Sequence, residues 1–194
     1  MKYILLAFYC VNLSLVGTSR LVLTGGKQDS YFVYDAPLPI DSKKIENEFY
    51  AQIVNRLPVL CVDILVVDKE THSYLLIYRK NEPAKNLFWV LGGRVYKGES
   101  FFDTAKRKCK EEAGIDVIPV TLLGIYSLTF TKSEWNCSTH TPTVGVLAFI
   151  ESKNTLFLDQ DHSEYKWVSC ESENEDEYIE QLRKKASLYM KNNK

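Results

Sequence analysis

Residues 59–67 form an almost unbroken apolar run, Val-Leu-Cys-Val-Asp-Ile-Leu-Val-Val, interrupted only by Asp63. A strand with one face in water alternates apolar and polar residues. A run without alternation needs cover on both faces, so it reads as a buried central strand. The neighbouring patterns supply that cover. Asp41 reads as a helix N-cap, with Ile40 and Ile45 placed to form a hydrophobic staple. Ile45, Phe49 and Ile53 then recur every four residues, giving one apolar face, and Pro58 ends the helix. Residues 68–73 make a turn, and 74–79 pair back as a second strand. A loop containing Pro83 and Asn86 leads to a short strand at 88–91, which is expected to end in a turn at Gly92 and Gly93. A helix follows over 100–113, with Phe102, Ala105 and Cys109 as its buried stripe and Gly114 as its left-handed cap. Strands are expected at 117–129, 143–150 and 165–168. A final helix over 175–190 sets Ile179, Leu182, Ala186 and Tyr189 on one side. The expected fold class is α/β in the α+β sense, a mixed β-sheet sandwiched between helices.

The net charge of −1 over 194 residues argues against a general nucleic-acid binder, which needs a basic surface. It leaves room for a nucleotide substrate, which needs only a few well-placed cations. The five cysteines show neither CxxC nor zinc spacing, so they read as buried or free thiols. Four remain if the N-terminus is removed, which leaves a disulfide open. Residues 1–19 begin with Lys2, run apolar from Tyr3 to Val16 and end in small residues. That layout fits a secretory signal, and equally a buried or mis-started segment. Residues 20–40 read as a connector, and 41–190 as the folded domain.

The chemistry concentrates between residues 93 and 115. Gly93 is followed by Glu99, then Arg107, Lys108, Glu111, Glu112, Gly114 and Ile115. Glu111 and Glu112 sit in the last turn of a helix, and Arg107 and Lys108 lie one turn before them. Such i, i+4 cations orient carboxylates without displacing a metal. A diphosphate is a hard, multiply charged anion, and Mg²⁺ suits it because Mg²⁺ needs only one or two carboxylates and keeps other positions for water and substrate. Taken alone, Glu111 and Glu112 read as an ordinary solvated helix face. At this fixed spacing, with the Gly-Gly step, Glu99, Arg107 and Gly114, they read as a site.

The segment resembles the Nudix box at every fixed position but one, where Lys108 stands in place of the Glu that follows Arg. The resemblance implies the Nudix fold and Mg²⁺-dependent hydrolysis, with Mn²⁺ as the alternative ion. Losing that Glu puts the family's usual attack on phosphorus in doubt. The GDP-mannose mannosyl hydrolase branch also lacks it and attacks the sugar carbon. Residues 57–63, 75–84, 92–99 and 161–167 are similar to that branch as well. The resemblance implies that Glu112, Glu111, Asp161 and the Gly92 carbonyl hold the metal, although the branch has Gln at 161. It implies that His162 is the general base, an imidazole suited to proton transfer near neutral pH. Arg79, Arg94 and Arg107 would meet phosphate or sugar oxygens, with Arg107 counted among the catalytic residues, and Asp63 would bind sugar hydroxyls or guanine. Plainer roles stay open: His162 as a surface residue, Arg79 as the partner of a buried Asp63, and Trp89 as core. Three functions follow: hydrolysis of a GDP-mannose-like GDP-sugar, conventional pyrophosphohydrolysis, or non-catalytic binding. The resemblance also implies a small-molecule partner, a homodimer and a cytoplasmic setting, the last opposed by the signal-like N-terminus.

Overall fold

The computed structural model describes residues 20–23, 30–33, 39–151, 156–174 and 176–193. The signal-like segment 1–19 lies outside the described residues up to position 19. Within the expected connector, β1 (Arg20–Leu23) and β2 (Ser30–Val33) pair antiparallel. Then come α1 (Asn47–Arg56), β3 (Cys61–Asp68), β4 (Ser73–Arg79), β5 (Phe88–Trp89) and β6 (Leu91–Arg94). They are followed by α2 (Phe101–Ala113), β7 (Val117–Phe130), β8 (Thr139–Ile150), β9 (His162–Ser169) and α3 (Glu177–Asn192).

The apolar run becomes β3, at the centre of a seven-stranded mixed sheet. One edge of β3 pairs parallel with β8 over Cys61–Val67. The other edge is shared: β6 pairs antiparallel with Cys61–Ile64, and β4 with Val67 and Asp68. Both faces are covered, which is why the run does not alternate. Val62, Ile64 and Val66 pack with Ala105, Cys109 and Ala113 of α2. Leu65 and Val67 pack with Ile179, Leu182 and Ala186 of α3. Each buried Val, Leu or Ile among them stabilises the fold by roughly 1.5–3 kcal/mol. Strand alternation puts Asp63 on the α3 face, one pleat from Leu65.

The ends of α2 are fixed by local chemistry. Ser100 Oγ accepts from the Asp103 N–H at 3.1 Å, and the Asp103 carboxylate accepts from the Ser100 N–H at 3.2 Å, a reciprocal capping box. Gly114 closes the helix at φ 68°, as its sequence position predicts.

Two expectations are corrected. Asp41 does not cap α1. Its backbone N–H bonds the Lys97 carbonyl at 2.9 Å, and its side chain accepts from the Lys43 N–H at 3.1 Å. Those local bonds compete with helix entry, so α1 starts six residues later with no side-chain cap. The buried position of α1 is Val54, whereas Phe49 is 60% exposed, so the expected apolar stripe is not the face that packs. The second correction concerns Gly92 and Gly93, which do not form a turn. They run inside β6, opposite Asp63 and Val62. A Cβ on Gly92 would collide with Asp63 Oδ1 and lie 2.6 Å from the Val62 carbonyl oxygen, and one on Gly93 would lie 2.7 Å from Lys108 Cε. The glycines therefore let two charged side chains cross the strand at close range.

Candidate active site

A cavity of about 310 Å³ opens beside β6, within the range of small-molecule sites. Five of the residues expected from sequence line it together: Asp63, Arg79, Gly92, Arg94 and Glu112. Tyr50, Trp89 and Trp135 give it aromatic walls. Glu111, Arg107, Asp161 and His162 do not line it.

The acidic end of α2 forms the charged side. Glu112 is buried. One of its oxygens accepts from the Gly92 N–H at 3.0 Å, and the other lies 2.7 Å from Lys108 Nζ. Glu111 is nearly half exposed and pairs with Arg107 at 3.1 Å and Lys108 at 3.5 Å. Arg107 turns its fork away from the cavity. It donates to both Glu99 oxygens, at 2.6 and 2.8 Å, and to the Arg94 carbonyl at 2.9 Å, with its guanidinium 3.8 Å from the centre of the Tyr96 ring. Its Nε and Nη2 donors are engaged inside the protein and Nη1 faces Glu111, so it stands beside the acidic helix end and not on the cavity wall. Burial works against a charged Glu99. The bonds from Arg107, the Tyr96 N–H and Thr104 outweigh it and hold the carboxyl below its usual range. In this cluster three carboxylates (Glu99, Glu111, Glu112) face two cations (Arg107, Lys108), leaving one negative charge unmatched.

Asp63 forms the floor. Burial pushes its carboxyl up to about 6, against the pull of a hydrogen bond from Tyr178, the Arg79 charge and a bond from Trp89. Tyr178 Oη donates to Asp63 Oδ2 at 2.9 Å and stacks on Trp89 with ring centres 5.5 Å apart. Sequence reasoning missed Tyr178, because one tyrosine on an amphipathic helix carries no signal for a partner more than a hundred residues away. Arg79 spends its Nε on the Pro83 carbonyl at 2.8 Å. Arg94 sits over the Tyr50 ring at 4.8 Å.

The loop before β9 is stitched to α2. The Phe157 and Asp159 N–H groups donate to the carbonyls of Ala113 and Glu112, both at 3.1 Å. Asp159 Oδ1 lies 2.6 Å from His162 Nδ1 and accepts from the Asp161 N–H at 3.0 Å. His162 is buried and stands opposite Arg79 across β4 and β9. The histidine loop and the Glu112 end of α2 therefore adjoin. Asp161, however, aims its Oδ1 at Asn81 Nδ2, 2.7 Å away. Among the described residues no three His, Cys, Asp or Glu side chains converge as a metal cluster, so Asp161 is not gathered with Glu111 and Glu112. Asp159 was the second residue missed; an Asp three positions before a His is too common to single out. Cys61, Cys109, Cys137 and Cys170 are free, and burial pushes the Cys61 thiol up to about 12. It is therefore no nucleophile near neutral pH.

Comparison with known proteins agrees with this architecture. The profile of the NUDIX domain matches residues 57–188. The low-salt glycan biosynthesis protein Agl8 of Haloferax volcanii is 30% identical over 139 residues, 71% of this chain and 87% of that protein. An ADP-ribose pyrophosphatase of Methanocaldococcus jannaschii is 39% identical over 70 residues, 36% of this chain and 40% of that protein. The crystal structure of a MutT protein from Methanosarcina mazei Go1 superposes with a TM-score of 0.55 at 21% identity, covering 69% of this chain and 96% of that one, a likeness of fold. With a matched domain over most of its length and the fold to go with it, the chain belongs to the NUDIX family of hydrolases.

Proposed function

We propose that this hydrolase cleaves a nucleoside diphosphate joined to a sugar, of the GDP-mannose kind, into the nucleoside diphosphate and the free sugar. The observation that carries the reading is the Asp159–His162 pair, anchored by Asp159 to the same helix end that presents Glu112 to the cavity. With Asp159 as acceptor, the ring proton sits on Nδ1 and leaves Nε2 free to take a proton from water. Arg79 and Arg94 supply guanidinium charge at the cavity wall, suited to diphosphate oxygens. Asp63 offers acceptor oxygens to sugar or base hydroxyl and amino groups. The glycan-biosynthesis name of the Agl8 relative supports a sugar-bearing substrate.

Glu111 and Glu112 fit a hard divalent ion. They provide adjacent carboxylate oxygens, and their cluster carries the surplus negative charge described above. They would hold Mg²⁺ or Mn²⁺, which when bound would neutralise charge on the departing diphosphate. The remaining work falls to the chain. The arginines hold the phosphates, Asp159 fixes the imidazole, and His162 accepts the proton of a water that attacks the anomeric carbon.

A second reading is attack on phosphorus, as in conventional pyrophosphohydrolysis. It is favoured by Glu111, whose carboxylate stays accessible, and by the burial of His162. The ADP-ribose pyrophosphatase relative supports it too. Hydrolysis of GDP-mannose in ¹⁸O-water separates the two. Label in the free sugar is the expected result, and label confined to phosphate overturns carbon attack. Full turnover by His162→Gln would sink the role of His162.

A further inference from the structure

We infer that Lys108 is a tethered cation set against Glu111 and Glu112, the two carboxylates that would hold a divalent ion, so that its ammonium competes with metal for them. The inference rests on the hydrolase reading only for its catalytic consequence.

Lys108 Nζ lies 2.7 Å from Glu112 Oε1 and 3.5 Å from Glu111 Oε2. One positive centre facing oxygens of two adjacent carboxylates is the arrangement a bound metal makes. A loose surface pair looks different, because long side chains in water share many geometries and hold none of them firmly. Here the side chain is only 17% exposed. Its stem is seated on β6, where Gly93 lacks the Cβ that would press 2.7 Å from Lys108 Cε. The other oxygen of Glu112 is already taken by the Gly92 N–H. A divalent ion arriving at Glu112 therefore meets a carboxylate whose two oxygens both have partners, one of them a cation held by its own backbone.

The consequence is physical. An ammonium carries one charge where Mg²⁺ carries two, and its tether keeps it from diffusing away. It neutralises part of the cluster and lowers the gain from binding a metal there. A carboxylate at position 108, as in the general Nudix pattern, would do the opposite, adding a ligand and a negative charge.

The test uses Mn²⁺ alone, without nucleotide, on the full chain. Free Mn²⁺ is followed by electron paramagnetic resonance during titration of the wild type, Lys108→Met and the double variant Lys108→Met/Glu112→Gln. The expected result is a tenfold or larger tightening of Mn²⁺ binding in Lys108→Met, lost again in the double variant. Equal affinity in wild type and Lys108→Met overturns the assignment, as does a gain that survives Glu112→Gln. Thermal melting checks the fold of each variant. If Lys108→Met does not fold, Lys108→Gln, neutral and able to hydrogen-bond, makes the same comparison. Absence of turnover on every nucleotide would remove the hydrolase reading and leave the Mn²⁺ comparison intact.

Discussion

Two helices of this protein carry clustered acids and bases, and they differ in where the charge ends. On α3, Arg183 donates to both oxygens of Glu180, at 2.6 and 2.7 Å, and to the Cys170 carbonyl at 2.6 Å. Glu180 also accepts from the Asn174 N–H at 2.9 Å. Donors and acceptors close on one another, and neither residue lines the cavity. On α2 the same i, i+3 and i, i+4 spacings place Arg107, Lys108, Glu111 and Glu112, yet with Glu99 joined to them three acids face two bases, and Glu112 opens onto the cavity. Ion pairs on a helix therefore say little about function. An unmatched charge beside a cavity says more.

The largest effect should separate the two clusters. Glu112→Gln removes a cavity carboxylate and should lower kcat on a GDP-sugar by about 10³-fold, on the order of 4 kcal/mol in barrier. Arg183→Met should leave kcat per folded molecule unchanged and destabilise the fold by about 3–5 kcal/mol, because it strands a buried carboxylate. Steady-state kinetics and urea denaturation read both quantities. If Arg183→Met cut kcat as deeply as Glu112→Gln, the division between closed and open clusters would be wrong.

The closed cluster also has a pH signature. Hydrogen bonds from Arg183, working against burial, hold Glu180 down to about 2. A depressed carboxyl adds stability that is fully present above its unfolded value near 4.5 and is lost as pH falls toward 2. Urea midpoints of the wild type should drop across pH 5 to 2, by up to about 3 kcal/mol in stability at one pKa unit per 1.36 kcal/mol. Glu180→Gln should flatten that drop, and an unchanged slope would refute the linkage.

The pattern of these clusters was only partly legible in the sequence. The central strand, the span of α2 and its Gly114 cap follow from periodicity and local capping chemistry, and the structure has them at those positions. The shared cavity position of Asp63, Arg79, Arg94 and Glu112 followed from family resemblance and not from spacing. What stayed hidden depends on tertiary contact. Asp41 looked like a cap until Lys97 took its backbone N–H, and Gly92 looked like a turn until Asp63 crossed it. The contacts of Arg107 with Glu99 and the Arg94 carbonyl are of the same kind, set by tertiary packing and not by spacing.

Asp159 sharpens the open side. If His162 acts as base through Nε2, Asp159→Asn should weaken the hold on Nδ1 and lower kcat by about 10²-fold. Melting temperature should change little. A variant with wild-type rate would reduce Asp159 to a loop residue.

The smallest effect tests the point where α3 reaches the cavity. Tyr178 belongs to that helix, yet its hydroxyl holds Asp63. Burial raises Asp63 to about 6, and the Tyr178 bond is among the influences pulling it back down. Tyr178→Phe should therefore raise the carboxyl further. A raised acid stabilises the fold fully below its unfolded value near 3.8 and loses that contribution as pH rises through its folded value. The destabilisation by Tyr178→Phe should thus be slight at pH 5, where Asp63 is mostly protonated, and grow to about 1–2 kcal/mol at pH 8, where an ionised carboxylate has lost a donor. If the ionised form binds substrate, the fall in kcat/KM on acidification should begin at higher pH in the variant than in the wild type. Equal destabilisation at pH 5 and pH 8 would mean that the hydroxyl supports packing alone, and α3 would then belong entirely to the structural side of the comparison.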